Sequence, residues 1–309
     1  MVAASGSCRP PVAIAPEPGG IPGLAQAVER GGGTLCDLPR ARALIWSSPQ
    51  AAGLSDRLAA SPGVGWVQLP YAGVERFRDV LDRQRLWTCA KGVYGRAVAE
   101  HALALILAGL RRIARCAQER VWLAPAGRTL HGATVVVIGG GGIGRALVEL
   151  LAPFRCDVTV VRRSGGALPH VRVVDPGQAR DAVARADVVV LAVPLTAATD
   201  GLVDADFLRR MRDDAWLVNV GRGAVVRTDD LVTALEGGRL GGAALDVTDP
   251  EPLPEGHPLW SLDDCIVTPH AANPPELGDP VLLDLVADNV ARFAANRTLR
   301  GSIDVDLAY

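Results

Sequence analysis

Three residues of complementary chemistry stand at the ends of apolar runs in the second half of the chain. Arg222 lies in Val218-Asn219-Val220-Gly221-Arg222-Gly223. Glu251 lies in the segment that opens Ala244-Leu245-Asp246-Val247 and continues to Pro254, and His270 closes Val267-Thr268-Pro269-His270. A guanidinium grips a planar carboxylate with two parallel hydrogen bonds and polarises an adjacent carbonyl. An imidazole exchanges a proton near neutral pH, and a carboxylate beside it favours the charged form. In α/β proteins ligands bind at the carboxyl ends of parallel strands, so an Arg, a Glu and a His arrive at one edge from separate strands.

Upstream, Gly139, Gly141 and Gly144 spell G-x-G-x-x-G, with Gly142 and Ile143 between the last two, directly after an apolar run and at the start of a helical one. In that setting the pattern reads as a dinucleotide loop. A side chain at the tight turn would block a pyrophosphate from the helix N-terminus, where unpaired N–H groups attract anions. An NAD site usually carries an acid at the end of the next strand, to bind the ribose 2′-hydroxyl. Here Val158-Thr159-Val160-Val161 leads into Arg162, Arg163 and Ser164. Two guanidiniums and a hydroxyl suit a 2′-phosphate, so NADP(H) is the expected cofactor, with NAD(H) left open.

The elements that must position these groups fall into two series. From Pro11 to about Cys89, strands at Val12–Ala15, Ala43–Ser47 and Val64–Leu69 alternate with helices at Leu24–Arg30 and Leu54–Ala60, which implies a small parallel sheet. One long helix is expected from about Ala97 to Gln118, apolar nearly all round and therefore buried between domains or against a second subunit. Ala124–Gly127 reads as a linker. Strands follow at Thr134–Gly139, Asp157–Arg163, Asp187–Val193, Ala215–Gly221, Gly242–Val247 and Cys265–Pro269. Helices are expected at Gly142–Pro153, Gln178–Ala186 and Val281–Arg297. Runs this apolar are covered on both faces. The fold class is α/β: a Rossmann-type doubly wound parallel sheet domain over 98–279, plus a smaller flavodoxin-like domain over 1–97 completed by 280–309.

In order and spacing, the three segments resemble the D-isomer-specific 2-hydroxyacid dehydrogenase family, which includes glyoxylate/hydroxypyruvate reductases, D-lactate dehydrogenases and phosphoglycerate dehydrogenases. The likeness runs from about Trp66 to the end and includes Ala99-Glu100-His101, the glycine loop, Pro194-Leu195-Thr196 and Gly201-Leu202. It implies that Arg222 binds the substrate carboxylate and 2-oxo group, that His270 protonates the carbonyl oxygen as hydride reaches C2, and that Glu251 partners His270. Reduction should then fade as pH rises, and hydroxy-acid oxidation improve. The resemblance also implies that Val193 and Pro194 line the cofactor, that Asp246 meets the nicotinamide carboxamide, and that Tyr71, Ala72 and Gly73 hold the substrate carboxylate through backbone N–H groups. His101 reads as a structural residue of the long helix. An NAD-linked D-3-phosphoglycerate dehydrogenase and a non-catalytic, NAD(P)H-sensing corepressor-like protein remain alternatives.

Composition bounds the reading. The 309 residues carry a net charge of −2, with 49% hydrophobic and 21% charged residues. There is no basic strip for nucleic acid and no apolar run long enough for a membrane span. The six cysteines form no C-x-x-C pair, which suits a reducing cytoplasm and no metal. The long apolar helix makes a homodimer the expected assembly.

Overall fold

A computed structural model describes residues 9–16, 21–163, 168 and 171–306. It divides into two compact units, Met1–Tyr94 with Pro274–Tyr309, and Gly95–Asn273. Among the described residues no helix is long and apolar enough to cross a membrane.

The first unit contains β1 (Pro11–Ala15), α1 (Leu24–Arg30), β2 (Thr34–Leu35), β3 (Ala43–Trp46), α2 (Leu54–Ala59), β4 (Trp66–Gln68) and β5 (Leu86–Thr88). All pairings are parallel, in the order β2-β1-β3-β4-β5, the flavodoxin-like arrangement. Side chains alternate across a strand, and the core follows that rule. Val12, Ala43, Ile45 and Trp66 face α1 and the C-terminal helix. Ala13, Leu44, Trp46 and Val67 face α2 and Phe77. Gln68 is fully buried, and its Oε1 accepts hydrogen bonds from Thr88 Oγ1 (2.8 Å) and Asn289 Nδ2 (2.9 Å). This amide pins β4, and the loop leaving it, to β5 and the C-terminal helix.

The C-terminal helix spans Pro275–Ala294, not Val281–Arg297. Pro275 occupies the first turn, where its missing N–H costs nothing, and Pro280 sits inside. Burial of Leu282, Leu285, Val286 and Val290 against the sheet outweighs the one backbone bond that Pro280 forgoes. β2 and β5 are too short, at two and three residues, to show a period in the sequence.

The second unit opens with α3 (Gly95–Leu110) and α4 (Ile113–Gln118). The single helix expected over 97–118 is therefore two. The chain breaks at Arg112, in the left-handed region at φ 52°, with its N–H closing on Gly109 O. Beyond the break, Arg112 pairs with Asp264 (3.1 Å) and Arg115 with Asp263 (3.5 Å). These are tertiary ion pairs that helix propensity does not register. No regular element follows between Glu119 and Leu130, where the linker was expected.

The sheet of this unit uses β6 (Thr134–Ile138), β7 (Asp157–Val161), β8 (Arg172–Val174), β9 (Val188–Leu191), β10 (Trp216–Asn219), β11 (Gly242–Leu245) and β12 (Cys265–Val267). They connect through α5 (Gly142–Leu151), α6 (Ala179–Val183), α7 (Ala205–Arg210) and α8 (Thr228–Glu236). All seven strands are parallel in the order β12-β11-β10-β9-β6-β7-β8. The order reverses between β6 and β9, the switch point where doubly wound sheets bind ligands. α3 packs on α5, β10 and β11 of its own unit, which accounts for its apolar circumference. A Cβ on Gly109 would lie 2.3 Å from the Trp216 ring, so this glycine lets α3 approach the sheet.

Candidate active site

The glycine loop joins β6 to α5 at the switch point. Gly139 has φ +118°, and a Cβ there would lie 2.3 Å from Ala192 O, the residue before Val193. A Cβ on Gly144 would lie 1.9 Å from Gly139 O, so strand and helix come closer than any other residue permits. Gly141 caps α5, and a Cβ there would project into open space, the room an anion needs at a helix N-terminus. Gly142 and Ile143 begin the helix. A Cβ on Gly95, at the start of α3, would lie 2.8 Å from the Gly142 backbone, so it is the missing side chain of Gly95 that lets the two segments meet there. The side-chain stem of Arg162 crosses Gly140, placing this arginine beside the loop, and Arg163 is exposed. Ser164 lies outside the described residues.

Val193 and Pro194 follow β9, and Thr199 Oγ1 donates to Pro194 O (2.6 Å), tightening that turn. β10 ends at Asn219, which is fully buried. Its Oδ1 accepts from Gly221 N–H (3.0 Å) and its Nδ2 donates to Arg222 O (2.9 Å). The two bonds fold the turn that presents the half-buried Arg222, whose Nη1 also reaches Gly221 O (2.7 Å). A Cβ on Gly223 would lie 1.8 Å from Thr248 O, so the loops leaving β10 and β11 meet backbone to backbone. Asn219 is a site residue that sequence reasoning passed over, although it stands in the same segment as Arg222.

Asp246 follows β11 and is 2% exposed. Its Oδ1 accepts from Thr268 Oγ1 (2.6 Å) and Ala271 N–H (2.8 Å), and its Oδ2 from Ala272 N–H (3.1 Å). Its own carbonyl accepts the N–H of His270 (2.8 Å). Three consecutive N–H groups therefore wrap one residue, and the wrap sets His270 at φ 52°. A left-handed histidine costs about 1–2 kcal/mol, a cost that the converging bonds offset. His101 Nε2, from α3, lies 3.0 Å from Thr268 Oγ1 and 3.2 Å from Asp246 Oδ1. Burial pushes the Asp246 carboxyl up. Hydrogen bonds from His101, Thr268 and Ala271, with the field of His101, outweigh burial and hold it below its ordinary 3.8. Oδ1 is fully engaged inside the protein, while Oδ2 accepts one N–H.

The wrapped strap carries His270 outward, its side chain 52% exposed, and its Nδ1 meets Glu251 Oε1 at 2.8 Å. Glu251 accepts from Nδ1–H, so the proton the ring can exchange sits on Nε2. Arg222, Glu251 and His270 thus leave three neighbouring parallel strands at one edge of one sheet. In the first unit, the loop after β4 carries Tyr71, Ala72 and Gly73. Tyr71 O accepts from Ala90 N–H, and Tyr94 Oη donates to Pro70 O (2.9 Å). The N–H groups of Tyr71, Ala72 and Gly73 take part in no hydrogen bond among the described residues, so they remain available to an anion.

Comparison with known proteins agrees with this arrangement. The model of the D-isomer specific 2-hydroxyacid dehydrogenase NAD binding domain matches residues 102–272. A Corynebacterium melassecola chain, described as an uncharacterized protein in the proB 3′ region, is 39% identical over 255 residues, covering 80% of this chain and 84% of its own. The human glyoxylate reductase/hydroxypyruvate reductase is 37% identical over 187 residues, which span 56% of each chain. The crystal structure of a D-isomer specific 2-hydroxyacid dehydrogenase from Xanthobacter autotrophicus Py2, in complex with NADPH and MES, superposes with TM-score 0.84 and 26% identity over 98% of this chain and 100% of its own. With the family's cofactor domain matched over residues 102–272, more than half of this sequence, the chain belongs to the D-isomer-specific 2-hydroxyacid dehydrogenase family.

Proposed function

We propose that the chain reduces a small 2-oxo acid to the D-2-hydroxy acid with NADP(H). One observation carries the reading: His270 Nδ1 is tied to Glu251 at 2.8 Å, at the sheet edge that also bears Arg222 and the glycine loop. The pair leaves Nε2 as the proton-carrying end and holds the ring in one orientation. Arg222 clamps the substrate carboxylate and draws electron density from the adjacent carbonyl. His270 then delivers its Nε2 proton to the carbonyl oxygen, and Glu251 stabilises the imidazolium beforehand.

The residues at the switch point fit a dinucleotide. Gly139, Gly141, Gly142, Ile143 and Gly144 would hold its pyrophosphate, Val193 and Pro194 its face, and the remaining lone pair of Asp246 Oδ2 its carboxamide. When bound, it supplies the hydride that reaches C2. Arg162 lies over Gly140 and the next residue, Arg163, is exposed, which supports a 2′-phosphate, and the Xanthobacter relative is described with NADPH. On this reading Gly95–Asn273 is the dinucleotide-binding domain and the first unit the substrate domain, with the N–H groups of Tyr71, Ala72 and Gly73 binding a carboxylate. We also propose a homodimer. Its support is no longer α3, which its own unit covers, but Ile113, Val121 and Trp122, which are 53%, 68% and 100% exposed. Size-exclusion chromatography with light scattering tests it, and a monomer at micromolar concentration rejects it.

The deciding experiment is turnover of glyoxylate, hydroxypyruvate, pyruvate and bulkier 2-oxo acids with NADPH and with NADH, repeated in His270→Gln and Arg222→Ala. Each substitution should lower kcat/KM by about 100-fold or more. NADPH binding without turnover of any of these acids rejects the enzyme reading in favour of a cofactor sensor.

A further inference from the structure

We infer that His101 is a positioning residue for the proton transfer assigned to His270, acting through Thr268 and Asp246. The inference rests on the 2-oxo acid reductase reading. His101 projects from α3, and its side chain is 22% exposed. The protons around it can be counted. Thr268 has one hydroxyl proton, and it is donated to Asp246 Oδ1 at 2.6 Å. Thr268 Oγ1 therefore meets His101 Nε2 as an acceptor, and a carboxylate only accepts. Both neighbours of Nε2 demand a donor, so Nε2 carries a proton in either charge state of the ring. The 3.0 and 3.2 Å contacts are one shared N–H donated to two oxygens.

That shared bond sits at the root of the strap that presents His270. Thr268, Ala271 and Ala272 all donate to the same carboxylate, and His270 itself donates to the Asp246 carbonyl. The carboxylate is 2% exposed, so no solvent replaces a donor that is taken away. Without the His101 N–H, Thr268 Oγ1 loses its external partner and Asp246 one of its donors. Among the described residues, no other side-chain hydrogen bond then joins α3 to the strap. His270 keeps its ring chemistry and its Glu251 partner but loses the fixed backbone that aims Nε2. A misplacement of about 1 Å in a reacting group costs on the order of 100-fold in rate.

Two substitutions separate positioning from packing. His101→Leu keeps bulk and removes the donor. His101→Gln keeps a side-chain N–H without a ring or a titratable charge. In His101→Leu, kcat for reduction should fall by about tenfold or more, while KM and the NADPH Kd, measured by fluorescence without 2-oxo acid, change by less than about threefold. Amide exchange at Ala271 and Ala272 should accelerate by about tenfold or more. His101→Gln should return both readouts to within about threefold of the parent. Parental kcat and exchange in His101→Leu overturn the proposal, as does equal loss in both variants. Thr268→Val cuts the same relay from its other end at constant volume. It should reproduce both effects should His101→Leu not fold, and parental values in it overturn the proposal equally. The exchange measurement needs no substrate. If the parent protein reduces no 2-oxo acid, the functional reading fails by itself, and exchange still decides whether His101 holds the strap.

Discussion

Asp246→Asn isolates the element that fixes His270. Oδ1 of Asp246 receives Thr268, Ala271 and His101, so the asparagine oxygen stays there and the amide nitrogen takes the place of Oδ2. That nitrogen then faces the N–H of Ala272, donor against donor. The opposite amide orientation is worse, because it turns the NH₂ towards three donors. The substitution removes one charge-assisted bond, about 1.5–3 kcal/mol, and strands a buried N–H, about 1–3 kcal/mol. A net loss of about 3 kcal/mol is expected, since the strap relaxes in part. For a unit of this size about 1 kcal/mol corresponds to 2–4 °C, so Tm should fall by about 6–12 °C.

The acid limb gives a second readout. The folded carboxyl lies below its ordinary 3.8, so its contribution is complete above that value and is lost as pH falls through the lower folded value. Thermal melts between pH 7 and pH 2.5 should show this loss in the parent and a flatter limb in the variant. kcat should fall by about tenfold or more with the loosened strap. A variant that melts within about 2 °C of the parent, with parental kcat, refutes the reasoning that three wrapped N–H groups set His270 in place.

Arg162→Asp should lower kcat/KM for NADPH by about tenfold or more and shift preference towards NADH, because the guanidinium beside Gly140 is replaced by a charge that repels a phosphate; steady-state rates with both cofactors check this. Gly144→Ala places a Cβ 1.9 Å from Gly139 O, so α5 must move away from β6. NADPH binding, followed by fluorescence titration, should weaken by about tenfold or more. Burial pushes the Cys89 thiol up to about 11 and the Cys265 thiol up to about 12, whereas Cys116 is exposed. Mass spectrometry after brief iodoacetamide treatment at pH 8 should find Cys116 alkylated while Cys89 and Cys265 are spared.

Much of this protein could be read without coordinates, because its signals are local. Val135–Ile138, Val188–Leu191 and Trp216–Val218 are continuous apolar runs that only a covered parallel sheet accommodates. The glycines at 139, 141 and 144 are fixed by a turn, a cap and a close approach within one short segment, so their spacing carries the geometry. Arg162, likewise, is placed by its position after β7. Long-range order was not visible. The break at Arg112 is held by Asp264, more than 150 positions away, and helix propensity contains no trace of it. The Asp246 wrap draws on α3, β11 and the strap after β12, so the sequence marks His101 as a structural residue of its helix without naming the partners it holds. A sequence states which groups are available and in what order. Only folding decides which lone pairs are already spent, because that depends on which distant donors the chain brings within 3 Å.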